Sequence, residues 1–571
     1  MFILRAHGVV NKLTPFRSPF LHPSKFCLKK NSGCKFLCRR GYFCSQRRVK
    51  AMSPVPLTSP QSMVGGDKIK LTETEEKIFQ QLIDVVQHHN LATQLRVAGG
   101  WVRDKLLGRE CYDIDIALDD MYGKQFCEKI QEYLGVEANE RGFCVIQSNP
   151  DQSKHLETAR MSIFNMMIDF VNLRSEKYSD DSRIPEMEFG SPKDDALRRD
   201  LTINSLFYNI STMSIEDYTG RGLSDLRQGV IVTPLSAKST FLEDPLRVLR
   251  AVRFGARFDF AMDKEIKAAA ADILVKTALK DKISRERIGH EIDLMIGGNE
   301  PVKAISWIQE FELFWIVFTP PNDTEPAIPE NSDRACVTYM KVAWDVLQSI
   351  GYSTFSTEER KLCLYGGLFL PLRDSVFTDK KSKKLPVSSH IFRNSLKLKI
   401  SDADTVATMH ETSEGFSHLL DSLKSGWVSR IVETDVSDEF ADASPDVKKR
   451  ISVGLLLRKI KKFWRIALLI STLVHPTSED FQSDCSQVES KVEMFKRAEK
   501  LIAGELNMDN IWETKPLLNG NAIMEILGVK GKQIGEWQQR LLKWQLANPH
   551  GNADDCHQWL LQSNAKRTKL S

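Results

Sequence analysis

The chain has 571 residues, of which 42% are hydrophobic and 27% charged; at about 150 residues per domain this suggests three or four domains with a sizeable buried core. That composition excludes a disordered chain, a collagen-like repeat and a small disulfide scaffold, and no apolar run approaches the roughly 20 residues of a membrane-spanning helix, so a soluble protein without membrane contact is expected. The net charge of +4 is uneven: the 66 residues before Asp67, the first acidic residue, hold 12 of the 79 lysines and arginines, which leaves 67 basic against 75 acidic residues beyond them.

Residues 1–66 are rich in Arg, Lys, Ser and Phe and lack carboxylates, the composition of an organelle transit peptide. Basic residues interrupt each apolar stretch, which argues against a secretory signal; a nucleic-acid-binding arm or an unstructured tail would have a similar composition. The expected destination is a mitochondrion or chloroplast, and a start at Met52 would give a cytosolic or nuclear form. Cys27, Cys34, Cys38 and Cys44 lie in this arm without a Cys-x-x-Cys pair, so no zinc site is expected. The other seven cysteines are scattered, as reduced thiols would be.

From Leu71 onward, residues 74–86 have helical apolar spacing. Short β-branched runs follow at 95–98, 113–118, 143–147, 163–173, 206–209 and 230–233, separated by turns and short helices. After Phe241 the pattern becomes long and amphipathic, with helices predicted over 244–258, 263–280 and 284–295 and onward to the end. The fold expected is an α/β head, a small mixed sheet with flanking helices, followed by an all-α remainder with joints near 320–332 and 476–486.

The densest signal is Val97-Ala98-Gly99-Gly100-Trp101-Val102-Arg103-Asp104, followed by Asp113-Ile114-Asp115-Ile116. The glycine pair ends a strand and opens a helix, where backbone N–H groups can approach a phosphate closely, with Arg103 adding charge. Alternation along a strand puts Asp113 and Asp115 on one side. Two such carboxylates repel unless a cation lies between them, and a divalent ion is the natural one. Asp169 stands in the apolar run Met167-Ile168-Asp169-Phe170-Val171. It completes a three-carboxylate cage if its strand neighbours Asp115; a core Asp satisfied by backbone donors is the alternative.

These motifs, followed by Arg198-Arg199-Asp200-Leu201-Thr202-Ile203-Asn204, Asp217-Tyr218-Thr219-Gly220 with Asp225-Leu226, and Glu243-Asp244-Pro245-Leu246-Arg247-Val248-Leu249-Arg250-Ala251-Val252-Arg253-Phe254, resemble class II CCA-adding tRNA nucleotidyltransferases of the DNA-polymerase-β-like superfamily. Residues 148–159 and 517–549 resemble the eukaryotic branch. The resemblance implies attack of an RNA 3′-hydroxyl on the α-phosphorus of CTP or ATP, with release of pyrophosphate and two Mg2+ ions assisting. It implies Asp113 and Asp115 as metal ligands supported by Asp169. Gly99, Gly100 and Arg103 would hold the triphosphate, and Arg199 and Asp200 would contact or orient the nucleotide.

Asp244 and Arg247, three apart on a predicted helix, would read the amino group and ring acceptors of cytosine or adenine. Arg250 and Arg253 would continue that face toward phosphates or base. The domains expected are a head at 67–235, a helical neck at 236–300, a body at 301–480 and a tRNA-binding tail at 481–571. Residues 175–194 read as a candidate mobile loop near the site, with disordered surface as an equal alternative. A basic face of Arg458, Lys462 and Arg465 is a candidate for RNA phosphates, with a solvated face the stronger reading. No protein partner is inferable. A poly(A)-adding or partial CC- or A-adding enzyme, and a catalytically silent RNA-binding protein, are the alternatives.

Overall fold

The computed structural model describes residues 68–135, 142–146, 158–177, 186–425, 440–474 and 485–570. The basic arm, most of 148–159 and most of the joint at 476–486 lie outside these residues. The head begins with α1 (Glu73–His88), whose Thr72 and Glu75 form a reciprocal capping box. Its sheet holds β1 (Leu95–Ala98), β2 (Ile114–Leu118), β3 (Cys144–Ile146), β4 (Thr158–Ile163), β5 (Met166–Asn172), β8 (Phe207–Asn209) and β9 (Ser214–Glu216), in the order β3-β4-β5-β2-β1-β8-β9. Only the β2–β5 pair is parallel, so the sheet is mixed, as expected.

Side-chain alternation divides the sheet into two faces. Val97, Ile114, Ile116, Ile168, Phe170, Ala159, Met161 and Tyr208 join the main core, which runs through the helical part as well. α1 and α3 (Gly123–Leu134) contribute to that core, with Phe126 edge-on to Phe170 at 5.4 Å. The opposite face has only a small apolar cluster of Ala98, Ala117, Leu173, Ala196 and Phe207. Asp115, Asp169 and Arg160 occupy this second face, where the apolar layer is thin.

The predicted run at 163–173 belongs to a hairpin: β4 and β5 meet at Phe164 and Asn165, both with positive φ. Within 175–194, the mobile-loop expectation is corrected for the described part. β6 (Arg174–Lys177) pairs antiparallel with β7 (Glu186–Phe189), and α4 (Pro192–Leu197) follows with Ser191 and Asp194 as its capping box.

Beyond α5 (Gly222–Gln228) the chain is predominantly helical: α6 (Ala237–Glu243), α7 (Leu246–Phe258), α8 (Lys264–Ala271), α9 (Ile273–Lys282) and α10 (Arg285–Ile296) come first. The single helix predicted over 263–280 is two, because Asp272 is extended and caps the second helix through its own carboxylate. Longer helices such as Ser332–Gly351 and Ile400–Ser425 follow. The basic face is corrected too. The helix Pro445–Ile460 stops at Lys461, whose φ is 57°, and the next begins at Trp464. Arg458 donates to the Ile511 and Thr514 carbonyls at 2.9 and 3.0 Å, Lys462 to Glu358 at 2.9 Å, and Arg465 to Glu499 at 2.7 Å. Arg458 and Arg465 tie segments of the helical part together, whereas Lys462, 63% exposed, makes a surface pair. Among the described residues no helix is long and apolar enough to cross a membrane.

Candidate active site

Asp113 immediately precedes β2, Asp115 lies within it, and Asp169 lies directly opposite Asp115 in β5. One carboxylate oxygen from each comes within 4.8 Å of the others. Burial, then the charges of Asp113 and Asp169, push the Asp115 carboxyl up to about 6, with Arg199 and Arg160 opposing the rise. Anionic oxygens converging on a thinly covered sheet face suit a hard divalent cation, and the triad could hold one. Asp169 is satisfied by the Arg160 guanidinium, which donates to both its oxygens, and this replaces the backbone-donor alternative.

The glycine turn follows from close packing. Gly99 has φ 70°, and its N–H donates to the Leu206 carbonyl at 2.9 Å. A Cβ at Gly99 would stand 2.6 Å from Arg199 Nη1 and 3.2 Å from the Asn204 carbonyl. Only glycine lets Arg199 cross the turn in this way. Gly100 opens α2 (Gly100–Leu106) beside the Arg103 guanidinium.

Arg199 is fixed by Asp195. Its Nε and Nη2 donate to Asp195 Oδ2 at 3.0 and 2.8 Å, its Nη1 donates to the Asn204 carbonyl at 3.1 Å, and the group lies 5.1 Å from the Phe207 ring centre. Arg198 Nε reaches the other oxygen of Asp195 at 2.9 Å. Burial alone would raise the Asp195 pKa, yet Arg199 and Arg198 hold it at about 2. Asp200 is similar: burial opposes ionisation, but Arg250 and Asn204 keep its pKa at about 2. Its oxygens accept from Leu201 N at 2.9 Å, Asn204 Nδ2 at 3.0 Å and Arg250 Nε at 2.7 Å. In the following motif, Asp225 accepts from the Thr202 hydroxyl at 2.7 Å and supports the same loop from below.

Several expectations need correction. Arg103 is not a free phosphate clasp. It is 3% exposed, bonded to Asp104 at 2.8 Å and to Asn204, and it lies 5.0 and 4.8 Å from the ring centres of Phe254 and Phe258. Its charge therefore underlies the glycine turn. Asp244 and Arg247 do not share a helical face, because Asp244 is extended, Pro245 caps α7, and the helix starts at Leu246. The Asp244 carboxylate accepts from Arg287 at 2.9 Å, whereas Arg247 donates to Glu243 at 3.1 Å and to the Arg198 carbonyl at 2.7 Å. Arg250 and Arg253 are paired as well, with Asp200 at 2.7 Å and Glu291 at 2.6 Å respectively. Asp195, Asn204, Arg160, Arg287 and Glu291 were not foreseen as members. Asp195 alone carried a readable sign, its spacing of three and four residues before Arg198 and Arg199 on a short helix.

The mixed sheet, the crossed glycine turn and the acidic triad define a nucleotidyltransferase head, and residues 95–232 match the family model described as Poly A polymerase head domain. The chain is 33% identical over 538 residues to the mitochondrial CCA tRNA nucleotidyltransferase of Saccharomyces cerevisiae, covering 87% of this chain and 94% of that one. It is 34% identical over 507 residues to tRNA nucleotidyltransferase cca2 of Schizosaccharomyces pombe, covering 86% and 98%. The chain belongs to the CCA tRNA nucleotidyltransferase family. Its fold is shared with the Thermotoga maritima CCA-adding enzyme solved with tRNA (TM-score 0.53, 17% identity, covering 86% of this chain and 96% of that one). It is also shared with the Bacillus stearothermophilus CCA-adding enzyme solved with CTP (TM-score 0.53, 18% identity, 88% and 100%).

Proposed function

We propose that this enzyme builds and repairs the 3′-terminal CCA of tRNA from CTP and ATP without a nucleic-acid template. The observation that carries the chemistry is the convergence of Asp113, Asp115 and Asp169 beside an anchored Arg199. In each cycle the RNA 3′-oxygen forms a bond to the α-phosphorus, the bond to the pyrophosphate oxygen breaks, and the hydroxyl proton leaves to solvent. Two Mg2+ ions, when bound, supply charge that lowers the hydroxyl pKa and stabilises the leaving group. Asp113 and Asp115 hold them, and Asp169 supports Asp115 from the next strand.

The glycine turn at Gly99 and Gly100 receives the triphosphate, with the Gly100 N–H at the start of α2 as the donor because the Gly99 N–H is held by the Leu206 carbonyl, Arg103 beneath the turn and Arg199 at its side. Asp200 orients Arg250, and Glu291 orients Arg253, setting the neck against the nucleotide. Asp244 and Arg247 read the base, the carboxylate accepting from the exocyclic amino group that cytosine and adenine share. Arg247 has to exchange a protein acceptor for the base to do so, which makes base reading a conformational step. Residues 67–235 act as head, 236–300 as neck, 301–480 as body and 481–571 as tail. Relatives named as mitochondrial support a mitochondrial destination for the chain.

The test is incubation with tRNA lacking its 3′ end, supplying one nucleotide at a time. Two C followed by one A is the expected product, and Asp115→Ala abolishes it while tRNA affinity stays within about twofold, as for a group acting only in the transition state. A alone, runs of A, or no product overturns the reading.

A further inference from the structure

Arg160 lies in the acidic row, yet it belongs to none of the motifs that carry the proposed chemistry. Register puts it there: Arg160 in β4 is directly opposite Asp169 in β5, which is directly opposite Asp115 in β2. Residues opposite one another in neighbouring strands share a face, so Arg160, Asp169 and Asp115 form one line across three strands. The guanidinium fork takes both oxygens of Asp169, the planar two-point match that lysine cannot make.

Two guanidinium groups influence this cluster, and their freedom differs. Arg199 is anchored to Asp195 and to the Asn204 carbonyl and is 20% exposed. Arg160 is 37% exposed, and among the described residues Asp169 is its only hydrogen-bond partner. Arg160 can therefore turn to solvent once its carboxylate is needed elsewhere. Without it the cluster has three negative charges; with it, the third is neutralised and both of its oxygens are occupied.

We propose that Arg160 is a positioning residue that occupies Asp169 in the metal-free enzyme and competes with the divalent cation for it. Arg160 thereby sets the cation affinity of the site, and it withholds the third carboxylate until a cation has engaged Asp113 and Asp115. This inference rests on the reading of the triad as the metal site.

The test titrates the full chain with Mn2+ alone, without nucleotide or RNA, following free Mn2+ by electron paramagnetic resonance. Arg160→Gln is expected to tighten Mn2+ binding about tenfold, equivalent to about 1.4 kcal/mol. Arg160→Lys, which keeps the charge but not the fork, is expected to tighten it about threefold, an intermediate effect; it provides a second reading should the glutamine variant fold poorly. The Mg2+ concentration giving half-maximal nucleotide addition falls in the same order. Unchanged or weaker Mn2+ binding in both variants, with Asp115→Asn abolishing binding, overturns the role of Arg160 and leaves the metal site standing. Undiminished binding in Asp115→Asn overturns the metal site itself.

Discussion

Asp195 is 1% exposed and serves two guanidinium groups at once, and with the Asn204 carbonyl it holds Arg199 over the glycine turn. Asp195→Asn removes the carboxylate that both arginines share and is expected to lower stability by about 3 kcal/mol near neutral pH, as removal of one partner of a buried pair does. The folded pKa of about 2 lies below the unfolded value. The stabilisation is therefore complete above pH ~4 and is lost as pH falls through about 2. Denaturant melts of wild type and variant should converge over that acidic range. Asp115 has the opposite sign. Its pKa of about 6 in the folded chain lies above the unfolded value, so in the metal-free protein its contribution is most favourable below pH ~4 and declines as pH rises to about 6. A cation must displace that proton, so added Mg2+ is expected to raise the Tm more at pH ~7.5 than at pH ~5. Asp115→Asn should remove this difference. The Asp113 and Asp115 pair was legible in the sequence because strand alternation fixes which side chains share a face, whereas Asp169 joins them only through the pairing of β2 with β5, which the sequence left open. The true surroundings of Arg103, Arg250 and Arg253 were not, because Asn204 and Glu291 are distant in sequence and reach them only through tertiary packing.

Among the elements, α7 joins the head to the helical region through its arginines, with Arg247 on the Arg198 carbonyl and Arg250 on Asp200. α10 supplies Glu291 to the same row and is seated in turn by Gly289, where a Cβ would lie 1.7 Å from the Leu396 carbonyl oxygen. Gly289→Ala must push α10 away from that carbonyl. A loss of about 3 kcal/mol, at the upper end for overpacking, is expected in a denaturant melt, together with reduced nucleotide selectivity as Glu291 and Arg287 shift. Helical periodicity identified α7 and α10 well, but it also assigned Asp244 to a helix that Pro245 delays. Apolar spacing locates the buried stripe of a helix; its first residue is decided by capping and by the proline ring. The strand β6, Arg174-Ser175-Glu176-Lys177, has no apolar alternation to mark it, whereas β4 alternates Ala159, Met161 and Ile163 with Thr158, Arg160 and Ser162 but is short and only weakly apolar.

At the scale of the molecule, an α/β head leading into helices was readable from the shift in hydrophobic period after Phe241, and the sheet order was not. Arg458, Lys462 and Arg465, candidates for RNA phosphates with a solvated face as the stronger reading, are each paired within the protein. Beyond the basic arm the residues are net acidic, so RNA phosphates have to be met by local groups of cations.

The parallel pairing of β2 with β5 has a kinetic corollary. Asp115 and Asp169 are 54 positions apart in the chain, and a slip of one position would turn Asp169 toward the apolar side. Such a long-range contact closes late, after local hairpins and helices have formed. Magnesium can therefore recognise the finished sheet but has little to grip on the way there. In stopped-flow experiments it should retard unfolding and leave the refolding limb nearly unchanged, because an interaction absent from the transition state acts only on escape from the native state.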